Sequence, residues 1–190
     1  MEETLNDLFR KLIFRNECDN NPSVVYRFSD PDGVHSGKSG YSFGISQFDI
    51  NNNDSAAQCL KECGFDSVLI QKIKDQTIDV GPLASRLKAN APVIDKWDTR
   101  QLSYCLNRAL NFCTSRGVPL SDSAAILAVA DYFNQYGSMG DGAEAYFDEL
   151  GRPITAEDVL NFKLTHTKYG KEHPGDCQRR FDNLAKILPV

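Results

Sequence analysis

Glu17, followed by Asp30 and Asp32, supplies carboxyl groups of the type that chemistry on a glycosidic bond needs. Such a bond breaks through an oxocarbenium-like transition state. A protein that cleaves it must protonate the leaving oxygen and then stabilise or trap the sugar cation, usually with two carboxyl groups. The donor has to hold its proton near neutral pH, and apolar surroundings favour the uncharged form of a carboxyl group. The pattern places Glu17 where such surroundings are expected: Leu5, Phe9 and Ile13 advance by four along a helical repeat, and the next step lands on Glu17. A carboxylate therefore extends a core-facing row.

The second group needs a polar setting in which it remains ionised and can hold a water or face the developing cation. Asp30 and Asp32, both in the run Asp30-Pro31-Asp32-Gly33, are candidates, and Asp49 is a third. Asp beside Pro and Gly is also a plain turn former. Gln47 carries an amide that both donates and accepts, suited to an N-acetyl group or a catalytic water. Tyr41, Trp97, Tyr132 and Tyr136 present faces on which sugars stack, although aromatic residues in helical domains more often serve the core.

Two other motifs fail on their own spacing. Gly33 to Ser39 ends in Gly-Lys-Ser like a phosphate-binding loop, yet the required upstream glycine is Asp32. The run from Asp30 begins like a calcium loop, but its fifth position is Val34 and its twelfth is Tyr41, where a bidentate Glu belongs. His35, His166 and His173 supply no zinc spacing, and the six cysteines read as small buried hydrophobes. No metal and no cofactor is expected.

The elements that must position these residues follow from periodicity and turn chemistry. A first amphipathic helix is capped by Thr4 or Asn6 and ends near Glu17. Residues 24–28 and 41–45 are β-prone runs separated by turn residues, which predicts a small antiparallel lobe over about 24–50. Helices are then expected over 56–63, 67–74, 83–88 and 99–115, the last with Asp98 as its cap and Gly117 past its end. Residues 123–133 are apolar all round but too short to span a bilayer, which predicts a buried central helix. Thr155 and Asp158 compose a capping box for a helix towards 168, and Pro174 opens a last one to 188. The fold class is α+β, mostly helical, in a single domain over 1–190.

Hydrophobic residues make up 41% and charged residues 25% of the 190, ordinary for a packed globular chain. The net charge of −5 argues against a dedicated nucleic-acid binder, which needs excess Lys and Arg to displace phosphate counterions. Arg179 and Arg180 are the one local basic feature considered, read first as a solvated helix face. The acidic start MEETLNDLFRKLIFRNE does not compose a signal peptide, and no apolar run reaches the length of about 18 residues that suggests a membrane span.

The order Glu17, then Tyr26-Arg27-Phe28-Ser29-Asp30, then Gly40-Tyr41-Ser42-Phe43-Gly44-Ile45 resembles phage-type lysozymes over roughly residues 10–55. Those enzymes carry a helix-end Glu, a hairpin Asp and a Gly-Tyr-hydroxyl-x-Gly strand. The stretch Gly44-Ile45-Ser46-Gln47 is also similar to the Gly-Leu-Met-Gln strand of goose-type lysozymes and lytic transglycosylases. The resemblance implies a lysozyme-like fold and a muramidase that hydrolyses the β-1,4 bond between N-acetylmuramic acid and N-acetylglucosamine. Glu17 would then be the general acid, Asp30 the second carboxylate, Ser42 the water-positioning residue in place of the usual Thr, and Tyr41 and Gln47 substrate-binding. The hairpin is longer than in the phage enzymes by residues 32–38, which keeps Asp32 and Asp49 open as partners of Glu17.

Lytic transglycosylation of the same bond, chitosan cleavage, and a non-catalytic lysozyme-like binding protein are the alternatives. The expected partner is the peptidoglycan glycan strand, met by a monomer made in the cytoplasm and acting on the cell wall after release or secretion by another system.

Overall fold

A computed structural model describes residues 3–30, 33 and 39–188. The chain is mostly helical with one small antiparallel sheet, an α+β arrangement. It divides into two units, residues 17–101 and residues 1–16 with 102–190.

The first helix, α1 (Leu5–Cys18), is capped by Thr4, whose hydroxyl accepts from the Asp7 amide while the Asp7 carboxylate accepts from the Thr4 amide and hydroxyl. This reciprocal cap satisfies donors that a helix start leaves orphaned. Phe9 and Ile13 are fully buried along its core-facing row, Leu5 is half-buried, and so is Glu17 at the row's end.

In the unit of residues 17–101, the region of the expected first strand instead contains a helical turn, α2 (Pro22–Val25). The Asn21 side chain accepts from the Ser23 amide, and Pro22 supplies a preset φ at the first helical position. This local cap outweighs the β preference of Val24 and Val25. Among the described residues of this region, Ser29 joins the sheet through a single bridge to Ser42.

The second β-prone run is also shorter than its sequence suggests. Strand β1 (Ser42–Phe43) ends at Gly44, which takes φ +79°, and after a four-residue turn β2 (Phe48–Asp49) returns antiparallel with Ser42 opposite Asp49 and Phe43 opposite Phe48. Left-handed backbone at Gly44 is what stops the strand. The hairpin therefore closes within residues 42–49, tighter than the lobe expected over 24–50.

Helices α3 (Asp54–Glu62) and α4 (Ser67–Lys74) carry side-chain caps from Asn53 and Asp66. A 3-10 turn (Gly81–Leu83) leads into α5 (Ala84–Ala89). Phe43, Phe48, Ile50, Leu60, Ile73 and Ile94 are the fully buried centre of this unit's core.

Helix α6 (Ala91–Thr114) corrects one expectation outright. It begins well before residue 99, so Asp98 is no cap: it lies inside the helix and is fully buried. The row Ile94, Asp98, Leu102, Leu106 is buried throughout, one continuous helical face that runs through Asp98.

In the other unit, α7 (Ser123–Tyr136) is capped by Asp122 and buried continuously from Ala125 to Phe133, the helix expected from its all-apolar composition. Around it lie α8 (Gly140–Glu149), α9 (Ala156–His166), α10 (Lys168–Glu172) and α11 (Pro174–Ile187). The Thr155–Asp158 capping box is present at α9, with Arg152 bridging both Asp158 oxygens at 2.7 and 2.8 Å. Tyr132 and Tyr136 stack on each other with centroids 4.4 Å apart, and Tyr132 also packs against Phe162.

Of the pair expected on a solvated helix face, Arg180 is instead 5% exposed and grips Asp131. Arg179 stays part-exposed while holding Asp176 and the Asn16 carbonyl. All six cysteines are free thiols and buried, consistent with packing roles. Among the described residues, no helix is long and apolar enough to cross a membrane.

Candidate active site

Glu17, Asp30, Tyr41, Ser42, Gln47 and Asp49 all belong to the unit of residues 17–101. Cys18, one residue from Glu17, is buried at the end of α1. Burial pushes its thiol up to about 12, helped by the negative charges of Glu17, Asp98 and Asp19, while the Gln47 side chain opposes the rise. Cys18 is thus a packed, protonated spacer rather than a nucleophile.

Gln47 ends the turn Gly44–Gln47 at φ +50°. The resemblance suggests a strand here, but the segment is a turn because Gly44 and Gln47 both adopt left-handed backbone. The Gln47 carboxamide is fixed at each end: its oxygen accepts from the Ser29 hydroxyl at 2.7 Å, and its nitrogen donates to the Gly44 carbonyl at 2.8 Å. A carboxamide has two donors and two acceptor positions, so these bonds orient the group and leave it capacity for a ligand.

Ser42 is 4% exposed, with its backbone exchanging two 2.8 Å bonds with Ser29. The Ser29 hydroxyl contacts both the Ser42 carbonyl and Gln47, so Ser29 ties the first candidate to the second. Tyr41 is also largely buried and packs against Phe28 with centroids 6.1 Å apart. Burial raises its phenol above the ordinary range, with the charges of Asp30 and Asp79 adding to the effect.

The three carboxylates weighed as partners of Glu17 differ in what they already hold. Asp30 is half-buried and accepts from the Gly33 amide at 3.1 Å, a turn bond that engages one of its oxygens. Asp49 accepts from the amides of Gly40, Asn51 and Asn52 and from the Asn52 side chain, which makes it the organiser of the 49–52 turn. Its acceptor positions are taken up by structure. Asp32 lies outside the described residues.

One residue of this region escaped sequence reasoning. Asp98, fully buried inside α6, accepts from the Ile45 amide at 2.8 Å, the Ser46 amide at 2.9 Å and the Ser46 hydroxyl. It thereby satisfies the two central N–H groups of the turn that ends at Gln47. Left unpaired, each buried N–H would cost about 1–3 kcal/mol. The approach is close enough that a Cβ on Gly44 would sit 2.9 Å from an Asp98 oxygen, which together with φ +79° requires glycine there. The signal was in the sequence: Asp98 interrupts the row Ile94, Leu102, Leu106 as Glu17 extends Leu5, Phe9, Ile13. The same rule applied to α6 finds it.

Among the described residues, no group of three or more His, Cys, Asp or Glu side chains is arranged to hold a metal ion. No known family model, curated protein or solved structure matches the chain.

Proposed function

We propose that the protein is a peptidoglycan glycosidase in which Glu17 protonates the oxygen leaving the β-1,4 bond between N-acetylmuramic acid and N-acetylglucosamine. The observation that carries this reading is the position of Glu17: a half-buried carboxyl group at the end of α1, on the extension of the buried Phe9–Ile13 row, in the same unit as Gln47. An acid in that setting is partly shielded from water yet retains access to a substrate. Asp30 serves as the second carboxylate, and Ser42 helps to orient the attacking water in an inverting hydrolysis. Gln47 holds an N-acetyl group through its amide, and the Tyr41 ring supports the hairpin that carries it.

The test is Glu17→Gln, with the fold verified by circular dichroism and lysis measured on bacteria with permeabilised outer membranes. Lysis falls by at least about a hundredfold if Glu17 is the acid, and undiminished lysis removes the assignment.

Lytic transglycosylation is the second reading, favoured by two specific features: Ser42 is nearly inaccessible, and one Asp30 oxygen already holds its turn. That reaction uses no attacking water and needs no second carboxylate to activate one. Mass spectrometry of the products separates the two, since anhydro-sugar ends belong to transglycosylation and reducing ends to hydrolysis. The partner in either case is the glycan strand of the cell wall, with chitosan as a substrate for the comparison panel. A protein that binds such strands without turnover would leave every substrate intact.

A further inference from the structure

We propose that Asp98 is a positioning residue for this site, holding the turn 44–47 so that the Gln47 carboxamide meets substrate in one orientation. The proposal rests on the glycosidase reading for its substrate, but its geometry stands by itself. Asp98 is buried in the interior of α6, where an ionisable group has to be matched by donors, and donors in the 44–47 turn do that. One carboxylate oxygen takes the Ile45 amide, and the other takes the amide and hydroxyl of Ser46. The turn's central peptides are thus anchored to a helix rather than to the two-residue strands on either side.

The consequence falls on Gln47. Its φ of +50° is uncommon for a residue with a side chain, and such backbone persists only where surrounding contacts determine it. Asp98 supplies those contacts for the two preceding residues. Gly44 has to lack a Cβ for the approach to occur. From the fixed turn, the Gln47 side chain reaches the Gly44 carbonyl and the Ser29 hydroxyl, and Ser29 in turn pairs with Ser42. Asp98 touches no substrate in this scheme and acts through Gln47.

The experiment uses the full chain in four forms: unaltered, Asp98→Asn, Gln47→Ala and the double variant. Circular dichroism and urea unfolding establish which are folded. Asn retains the size of Asp but replaces one acceptor oxygen with a donor that faces the turn's own donors. By NMR, the Ile45 and Ser46 amides in Asp98→Asn should exchange about 10- to 100-fold faster, and the Gln47 side-chain amide signals should move. Unchanged signals in a folded Asp98→Asn overturn the proposal. If that variant does not fold, Ser46→Ala removes only the hydroxyl bond and should still shift the Gln47 signals, and their failure to move overturns it as well.

The second arm measures cleavage of peptidoglycan glycan fragments. Asp98→Asn and Gln47→Ala should each lower kcat/KM by about tenfold or more, and the double variant should fall no further than Gln47→Ala alone. Losses that multiply show that Asp98 does not act through Gln47 and overturn the proposal. A chain that shows the NMR response but cleaves no glycan loses the glycosidase reading, while the control of Gln47 by Asp98 stands.

Discussion

Each of the two units buries an aspartate in the middle of a helix, and the two are satisfied by different kinds of donor. In the unit containing α7, Asp131 meets charge: Lys163 at 3.1 Å and Arg180 at 2.5 and 3.1 Å, joined by Asn16 at 3.0 Å. Asn16 continues to Asn183, and Asn183 to Arg15, so the carboxylate anchors a polar chain linking α1, α7, α9 and α11. In the other unit, Asp98 accepts from two backbone amides and a hydroxyl of one turn. Asp131 ties helices together, whereas Asp98 shapes a loop. The same residue type in the same kind of position thus supports global cohesion in one unit and local geometry in the other.

Substitution by alanine should separate these roles most strongly. Asp131→Ala strands two buried cations and should lower stability by about 3–5 kcal/mol in urea unfolding. Asp98→Ala strands the Ile45 and Ser46 amides at about 1–3 kcal/mol each, and amide exchange should show the loss concentrated at residues 44–47. Exchange raised by Asp98→Ala throughout the α7 unit would break the distinction.

Acid sharpens it. Burial pushes the Asp131 carboxyl upward, but the charges and hydrogen bonds of Arg180 and Lys163 outweigh burial and hold it well below the ordinary carboxylate range. A folded-state value below the unfolded one means that the stabilisation is complete above about pH 4, the unfolded range, and is lost as pH falls from there through the folded value. Urea midpoints should therefore decline below about pH 4 in the unaltered chain, and Asp131→Asn should flatten that decline.

Gly44→Ala comes next, at about 1–3 kcal/mol, because it adds both left-handed strain and a clash with Asp98. Amide exchange should show the loss concentrated at residues 44–47. The smallest effect is expected from Thr155→Ala, which removes half of the α9 capping box and should cost about 1 kcal/mol in urea unfolding. A loss at α9 as large as that of Asp131→Ala would mean that caps, rather than the buried ion cluster, dominate this unit.

Much of the helical architecture was legible in the sequence because helix ends and helix faces are locally encoded. Thr4 before α1 and the Thr155–Asp158 box before α9 act as caps where their spacing predicts them. The β region was less legible. Asn21 and Pro22 turn a β-branched segment into a helical turn, and Gly44 stops a strand that hydrophobicity alone would continue. Asp98 was misread because the cap preference of Asp is a rule about neighbours in sequence, while its actual partners are about fifty positions away. Of the candidate site, the order of Glu17, Asp30, Ser42 and Gln47 could be read directly. The Ser29 bridge and the Asp98 anchor depend on which distant segments meet, and periodicity does not specify that.

The central claim is that Glu17 donates the proton, and leaving-group dependence tests it most directly. Turnover by the unaltered chain and by Glu17→Gln is compared on a β-1,4-linked peptidoglycan oligosaccharide and on the same sugar carrying a 2,4-dinitrophenolate leaving group, which departs without protonation. Glu17→Gln should lose a factor of about 10²–10⁴ on the oligosaccharide and far less on the aryl glycoside. Turnover of the oligosaccharide at the same rate by both proteins would contradict the assignment.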